Sequence, residues 1–284
     1  MEKCKLCPRK CGVDRSKIVG FCGVNEKIKI ALYGLHQWEE PCISYGKGSG
    51  TIFFSGCNLR CCYCQNYDIS TRGIGKLYDT QEVVDIIKDL EKQGATNINL
   101  VTPTHYIKQL VKVFEMYKPS IPIVYNSSGY ENVNALKLID KYINIYLVDF
   151  KYYDNDLALK LSKAKDYKEI AYKAIEFMCK SKADIFDGEV MKQGVIIRHL
   201  ILPNHTYNSI QSLQFLNDNF NGRLVSLMAQ YIPMGKAKEM YGLNRKINRR
   251  EYEKVVNKFI DLNLNGFIQE MDSANKCFVP NFND

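Results

Sequence analysis

No apolar run in this sequence approaches the ~20 residues that would cross a bilayer. Lysine and glutamate punctuate the first thirty positions too closely for a secretion signal. These two absences set the expectation of a soluble, cytoplasmic protein. Internal repeats and low-complexity segments are also missing. With 46% hydrophobic and 25% charged residues, the composition is that of a globular chain, which excludes a fibre or a disordered polymer. Clustered basic charge is lacking too: 39 Lys and Arg against 31 Asp and Glu give a net +8 that is spread along the chain, which argues against a nucleic-acid partner. At 284 residues the chain is about the size of one large α/β domain.

Cysteine is scarce beyond residue 64, where only Cys179 and Cys277 occur. The other nine, Cys4, Cys7, Cys11, Cys22, Cys42, Cys57, Cys61, Cys62 and Cys64, crowd the first 64 positions. A disulfide scaffold does not fit a chain expected in the reducing cytosol. Such crowding points to metal ligation.

From about residue 51, short apolar runs alternate with amphipathic stretches. Strands are predicted at residues 51–54, 98–101, 121–125, 145–148, 195–202 and 224–232, with a last short one at 266–268. Between them, Asp79 and Glu82 form a capping box that starts a helix stopped by Gly94. Further helices carry Ile107 to Phe114 and Val133 to Tyr142, and others are expected near 170–179, 209–220 and 249–262, the last after an Asn248 N-cap. About six strand–helix units mean parallel strands buried on both faces. The fold class is α/β, as an open doubly wound sheet or an incomplete (β/α) barrel, with chemistry beyond the carboxyl ends of the strands in either. Residues 1–50 lack the alternation and are expected to form a Cys-rich N-terminal extension to a barrel and tail at 51–284.

Cys57, Cys61 and Cys64 follow directly on the first strand at C-x3-C-x2-C spacing, in the loop Ser55-Gly56-Cys57-Asn58-Leu59-Arg60-Cys61-Cys62-Tyr63-Cys64. One loop bearing three thiols can wrap a cubane iron–sulfur cluster and ligate three of its four irons. Structural zinc and ferredoxin-type clusters normally take four protein ligands, so a set of three leaves one iron open to a small molecule. The competing readings are chance in a Cys-rich segment, or a zinc site that borrows Cys62. The loop's position at a strand end favours the cluster.

This motif resembles that of the radical S-adenosylmethionine (SAM) enzymes, in which C-x3-C-x-aromatic-C follows the first barrel strand; Tyr63 fills the aromatic slot. Along its whole length the chain resembles the branch of pyruvate formate-lyase activating enzyme relatives. The marks are Cys4-Lys5-Leu6-Cys7-Pro8-Arg9-Lys10-Cys11-Gly12, Asn99-Leu100-Val101-Thr102-Pro103-Thr104-His105, Arg198-His199-Leu200-Ile201-Leu202-Pro203, Met228-Ala229-Gln230-Tyr231 and Val279-Pro280-Asn281-Phe282. The resemblance implies a partial (β/α)6 barrel of the radical SAM type. It implies a [4Fe-4S] cluster on Cys57, Cys61 and Cys64, chelated by SAM through its amino and carboxylate groups, with Tyr63 near the adenine. It further implies reductive cleavage of SAM to a 5′-deoxyadenosyl radical that abstracts hydrogen from a substrate. The implied partners are a low-potential donor such as flavodoxin or ferredoxin and, as substrate, a glycyl radical enzyme. A radical SAM enzyme acting on a small molecule or another peptide is the alternative. From a different class, so is a non-catalytic iron–sulfur or zinc-binding protein.

The Gly-Gly-Glu stretch that commonly ends the second strand of radical SAM enzymes and binds the SAM amino group is absent. Thr102-Pro103-Thr104-His105 stands in its place, offering Thr102 and Thr104 as polar contacts, with a helix N-cap as the other reading of Thr104. Asn126 and Ser128, in Asn126-Ser127-Ser128-Gly129-Tyr130, either meet the methionine or ribose of SAM or form a plain turn. Asp149-Phe150-Lys151 matches the Asp-x-Lys pattern of glycyl-radical-activating enzymes, which implies Asp149 beside the methionyl group, with Lys151 a second catalytic candidate. Two opposite charges ending an apolar strand need pairing or a polar site. Arg198 and His199 are strand neighbours and must face opposite sides. The resemblance gives Arg198 to the SAM carboxylate or ribose and leaves His199 to the core. Gln230 is a candidate for adenine or substrate.

Cys4, Cys7, Cys11 and Cys22 form a second, four-thiol set suited to tetrahedral zinc or a fully ligated iron–sulfur cluster. Pro8, Gly12, Gly20 and Gly23 fit a metal knuckle. The alternative is reduced thiols without a ligand, and Cys42 would change the count. Cys179 and Cys277 read as core fillers, His36 and His205 as surface or structural residues.

Overall fold

The computed structural model describes residues 3–282. It begins with strands β1 (Ile28–His36) and β2 (Ser49–Phe54), the one-turn helix α1 (Tyr67–Ser70), strand β3 (Lys76–Tyr78) and helix α2 (Thr80–Gln93). The alternation continues with β4 (Ile98–Val101), α3 (Ile107–Met116), β5 (Ile123–Ser127), α4 (Val133–Ile139) and β6 (Ile145–Asp149). Helices α5 (Asn155–Ser162) and α6 (Tyr167–Ser181) lead to the hairpin of β7 (Ile185–Asp187) and β8 (Val190–Leu200). Then come α7 (Thr206–Phe220), β9 (Leu224–Met228), α8 (Arg249–Asp261) and β10 (Gly266–Ile268).

The main sheet runs β10-β9-β8-β6-β5-β4-β2-β1-β3. From β2 to β10 the neighbours are parallel and in chain order, while β1 and β3 join antiparallel at the β2 edge. A doubly wound sheet reverses its strand order; this one does not, so its right-handed crossovers place the helices on one face. Side-chain alternation agrees with that. Leu100, Tyr125, Tyr146, Val148 and Ile197 pack beneath the helices, while Val124, Ile145, Leu147, Ile196 and Leu224 turn inward around Cys42 and Ile43. The edge strands β3 and β10 do not meet. The fold is a partial (β/α)6 barrel with a short seventh parallel strand.

Local sequence signals account for several boundaries. Asp79 and Glu82 form the capping box of α2, and Gly94 closes it with φ +93°. Asn248 caps α8 with Glu251 as its reciprocal partner. Other boundaries shift. β5 lies two residues later than expected, because polar Asn126 and Ser127 remain in the sheet, Asn126 facing inward to Arg198 and Ser127 outward to Glu131. β9 ends at Met228 instead of 232, since the Ala229 N–H turns to the Gln269 side chain at 3.2 Å. α5 and β1 had no counterpart in the sequence pattern. Cys277 is exposed and not a core filler.

Candidate functional site

At the carboxyl ends of the strands lies a cavity of about 410 Å³, within the ~300–1,000 Å³ range of ligand pockets. The loop after β2 contributes Cys57, Cys61, Tyr63 and Cys64 to its wall. Thr102 follows β4, Asn126 lies at the end of β5 with Ser128 just beyond it, and Asp149 ends β6 with Lys151 two residues on. Arg198 of β8 and Gln230 beyond β9 complete the group. Segments far apart in sequence thus bring the predicted site residues to one space, with one exception. Thr104 does not reach it. The 3-10 turn after Pro103 carries Thr104 behind the wall, where its hydroxyl donates to Glu131, and it makes no helix-cap bond. Neither sequence reading of Thr104 holds.

Cys57 and Cys61 are buried and Cys64 partly so. Burial pushes the Cys57 thiol up to about 12, reinforced by the neighbouring Cys61 sulfur. It pushes Cys64 up to about 11 in the same way. Thiolates at such positions need a cation to form, which a metal supplies. Donors already aim at the sulfurs: the Leu59 N–H meets Cys57 Sγ at 3.3 Å, and the Ser162 hydroxyl meets Cys61 Sγ at 2.9 Å. Cys62 is absent from the cavity wall, its N–H donating to the Leu161 carbonyl at 2.9 Å. Among the described residues no three His, Cys, Asp or Glu side chains are gathered as ligands of a single ion. Structural zinc takes four protein ligands, whereas three thiols on one loop with Cys62 off the wall suit a cubane that leaves one iron open.

Behind the thiols stands a buried ionic network. Arg198 donates from Nε to Asp149 at 2.8 Å, from Nη1 to Glu39 at 3.2 Å and from Nη2 to Asn126 at 2.7 Å. Lys151 pairs with the other oxygen of Asp149. Burial opposes ionisation of Asp149, but Arg198 and then Lys151 outweigh it and hold the carboxyl below its ordinary range. Glu40 lies 4.0 Å from Arg198, and burial pushes its carboxyl up to about 6. His199 faces the opposite way, its Nδ1 at 2.7 Å from the Phe150 carbonyl, as strand alternation requires.

Glu39 and Glu40, with Trp38, escaped the sequence reading, and His36, expected to be a surface or structural residue, lines the cavity with them. They sit on and just beyond the end of β1 and line the cavity. Trp38 meets the tail through Phe278, ring centroids 4.7 Å apart. Two adjacent acids beside the single tryptophan were the available signal. Among the described residues, three buried polar atoms on the wall have no hydrogen-bond partner: Asn66 Oδ1, Ser128 Oγ and Glu40 Oε2, the last with only the Arg198 guanidinium at 4.0 Å. Buried polar groups are nearly always hydrogen-bonded, so orphans in a cavity mark where a ligand's polar groups can dock. Thr102 takes φ +61°, a rare conformation for a β-branched residue and one that concentrates at functional sites.

The Radical SAM superfamily model matches residues 51–216. The chain belongs to the radical SAM superfamily. Membership makes it an enzyme of SAM-dependent radical chemistry that carries a [4Fe-4S] cluster. An uncharacterised protein of Methanocaldococcus jannaschii is 33% identical over 265 residues, covering 90% of this chain and 73% of its own. The pyruvate formate-lyase-activating enzyme of Clostridium pasteurianum is 26% identical over 183 residues, 61% of this chain and 70% of that one. Among solved structures, methylornithine synthase matches with a TM-score of 0.50 at 18% identity, over 77% of this chain and 64% of its own length, a likeness of fold alone. No helix among the described residues is long and apolar enough to cross a membrane.

Proposed function

We propose that this radical SAM enzyme holds its cluster on Cys57, Cys61 and Cys64 and activates a glycyl radical enzyme by removing hydrogen from a backbone glycine. The observation that carries the ligand assignment is that these three sulfurs line the cavity while Cys62 does not. When bound, the reduced cluster would supply one electron to the sulfonium of SAM, whose C5′–S bond would break to give methionine and a 5′-deoxyadenosyl radical. The chain's own residues orient and shield that chemistry. Ser128 Oγ, which can donate or accept, and Asn66 Oδ1, which accepts, lack a hydrogen-bond partner and are placed to meet SAM's polar groups. With no Gly-Gly-Glu stretch, amine recognition falls to Asp149, Glu39 and Glu40, the carboxylates on the described wall. Arg198 and Lys151 keep Asp149 ionised for that role.

The glycyl-radical reading is supported by the activating-enzyme relative and by the Asp149-Phe150-Lys151 pattern. Flavodoxin or ferredoxin is the matching class of electron donor. Anaerobically reconstituted protein given dithionite and SAM should release 5′-deoxyadenosine; none would make it a non-catalytic iron–sulfur protein. A glycyl radical enzyme carrying α-deuterated glycine should pass deuterium into that product. Release without deuterium transfer moves the substrate to a small molecule or another peptide.

A further inference from the structure

We propose that Cys4, Cys7, Cys11 and Cys22 form a second, tetrathiolate metal centre that braces the loop bearing Cys57, Cys61 and Cys64. The extension that carries these thiols has no helix or strand from residue 3 to residue 27. Its order comes from turns. The Cys4 N–H donates to Val13 at 3.0 Å, Gly12 returns a bond to Cys4 at 3.1 Å, and Lys10 closes a turn on Cys7 at 3.1 Å. The Phe21 and Val13 backbones and the Cys4 thiol all lie close to the Cys11 sulfur. A Cβ at Gly20 would stand 3.4 Å from Cys11 Sγ and 3.5 Å from Cys22 Sγ, so a bare glycine lets the two sulfurs flank one point. Cys7 and Cys22 are buried, and no disulfide joins any of the four. Cys42 is not a fifth member, because it packs inside the barrel with Ile43 and Val124.

Few apolar side chains are buried in this extension, and a segment so short of core does not hold itself in register. Four thiols on short loops are the set that a thiophilic metal cross-links, with the metal supplying folding free energy. The sulfurs are grouped more loosely than the ligands of one ion, so metal entry sets the final rotamers.

What the centre would brace is explicit. The Cys57 N–H donates to the Cys22 carbonyl at 3.1 Å. Arg9, between Cys7 and Cys11, donates to Asn58 and Ser162 carbonyls at 2.8 Å each. Arg60 of the cluster loop reaches back to the Phe21 carbonyl at 3.3 Å. The contact is close: a Cβ at Gly56 would lie 2.7 Å from the Cys22 carbonyl oxygen.

The test is metal analysis of the full chain carrying Cys57→Ala, Cys61→Ala and Cys64→Ala, prepared with zinc and, separately, with iron and sulfide. The proposal expects about one zinc, or about four irons with sulfide, per chain. That metal should be lost on adding Cys4→Ser and Cys11→Ser. Neither metal retained, in this variant or as a surplus over about four irons in the unsubstituted chain, overturns the centre. For the bracing, hydrogen exchange at the Cys57 amide should accelerate at least tenfold when Cys4→Ser and Cys11→Ser are placed in the otherwise unsubstituted chain. Metal loss with unchanged exchange overturns that half. Both readouts are independent of 5′-deoxyadenosine release, so they fail separately from the proposed activity.

Discussion

The Ser162 hydroxyl donates to the Cys61 sulfur across 2.9 Å. It ends a buried relay: Tyr63 and Tyr152 hydroxyls lie 2.7 Å apart, and Tyr152 lies 2.6 Å from Ser162. Each hydroxyl has one proton to give, so with Ser162 committed to sulfur the donors run from Tyr63 to Tyr152 to Ser162. The aromatic residue of the cysteine loop thereby orients the group that touches a proposed cluster ligand.

Hydrogen bonds to cluster sulfurs favour the reduced, more negative state. Ser162→Ala should therefore leave the cluster assembled and make its potential more negative. One such bond is worth about 1 kcal/mol, or roughly 40 mV for one electron. An EPR-monitored redox titration reads this; an unchanged potential contradicts it.

Cys61→Ala should lose the brown cluster absorption and all SAM cleavage, whereas Cys62→Ala should keep both. The contrast follows from the cavity, which has Cys61 on its wall and not Cys62. Iron and sulfide analysis after anaerobic reconstitution decides it, and the reverse pattern would refute the ligand assignment.

The sequence discloses what is local. The thiol spacing, the capping box of α2, the Asn248 N-cap of α8 and the inward–outward split of Arg198 and His199 all depend on a few adjacent residues, and each was readable. Glu39 and Glu40 were not. They reach the site only because β1 pairs antiparallel with β2, a long-range register with no local signature. Thr104 misled for a similar reason: a single 3-10 turn sets which way its hydroxyl points. Asn126 and Ser127 looked like the end of a strand, because polar residues that line an interior cavity look like loop residues in a sequence.

Glu131 sits behind the cavity wall, where burial pushes its carboxyl from 4.5 up to about 7 despite the Ser127 and Thr104 hydroxyls. Folding thus favours the protonated form. The stability this confers is whole below pH ~4.5 and is lost as pH rises through 7, on the order of 3 kcal/mol in all. Glu131→Gln should remove that slope. Urea unfolding at pH 5 and pH 8 should show the unsubstituted protein losing more stability than the variant; equal losses contradict the prediction.

Arg198→Met strands Asp149 and Glu39 without their guanidinium partner. Removing one member of a buried ion pair costs about 3–5 kcal/mol, so the thermal midpoint should fall sharply. Adding Asp149→Asn should recover part of the loss, since the uncompensated charge goes with it. Strictly additive losses would show that the pair is not coupled.

The account depends on a cluster with one iron left to SAM. SAM labelled with 15N at its amino group, added to the dithionite-reduced protein, should show hyperfine coupling between that nitrogen and the cluster by electron–nuclear double resonance. A reduced [4Fe-4S] signal with no coupling, unchanged by SAM, would mean that all four irons are already ligated by the protein.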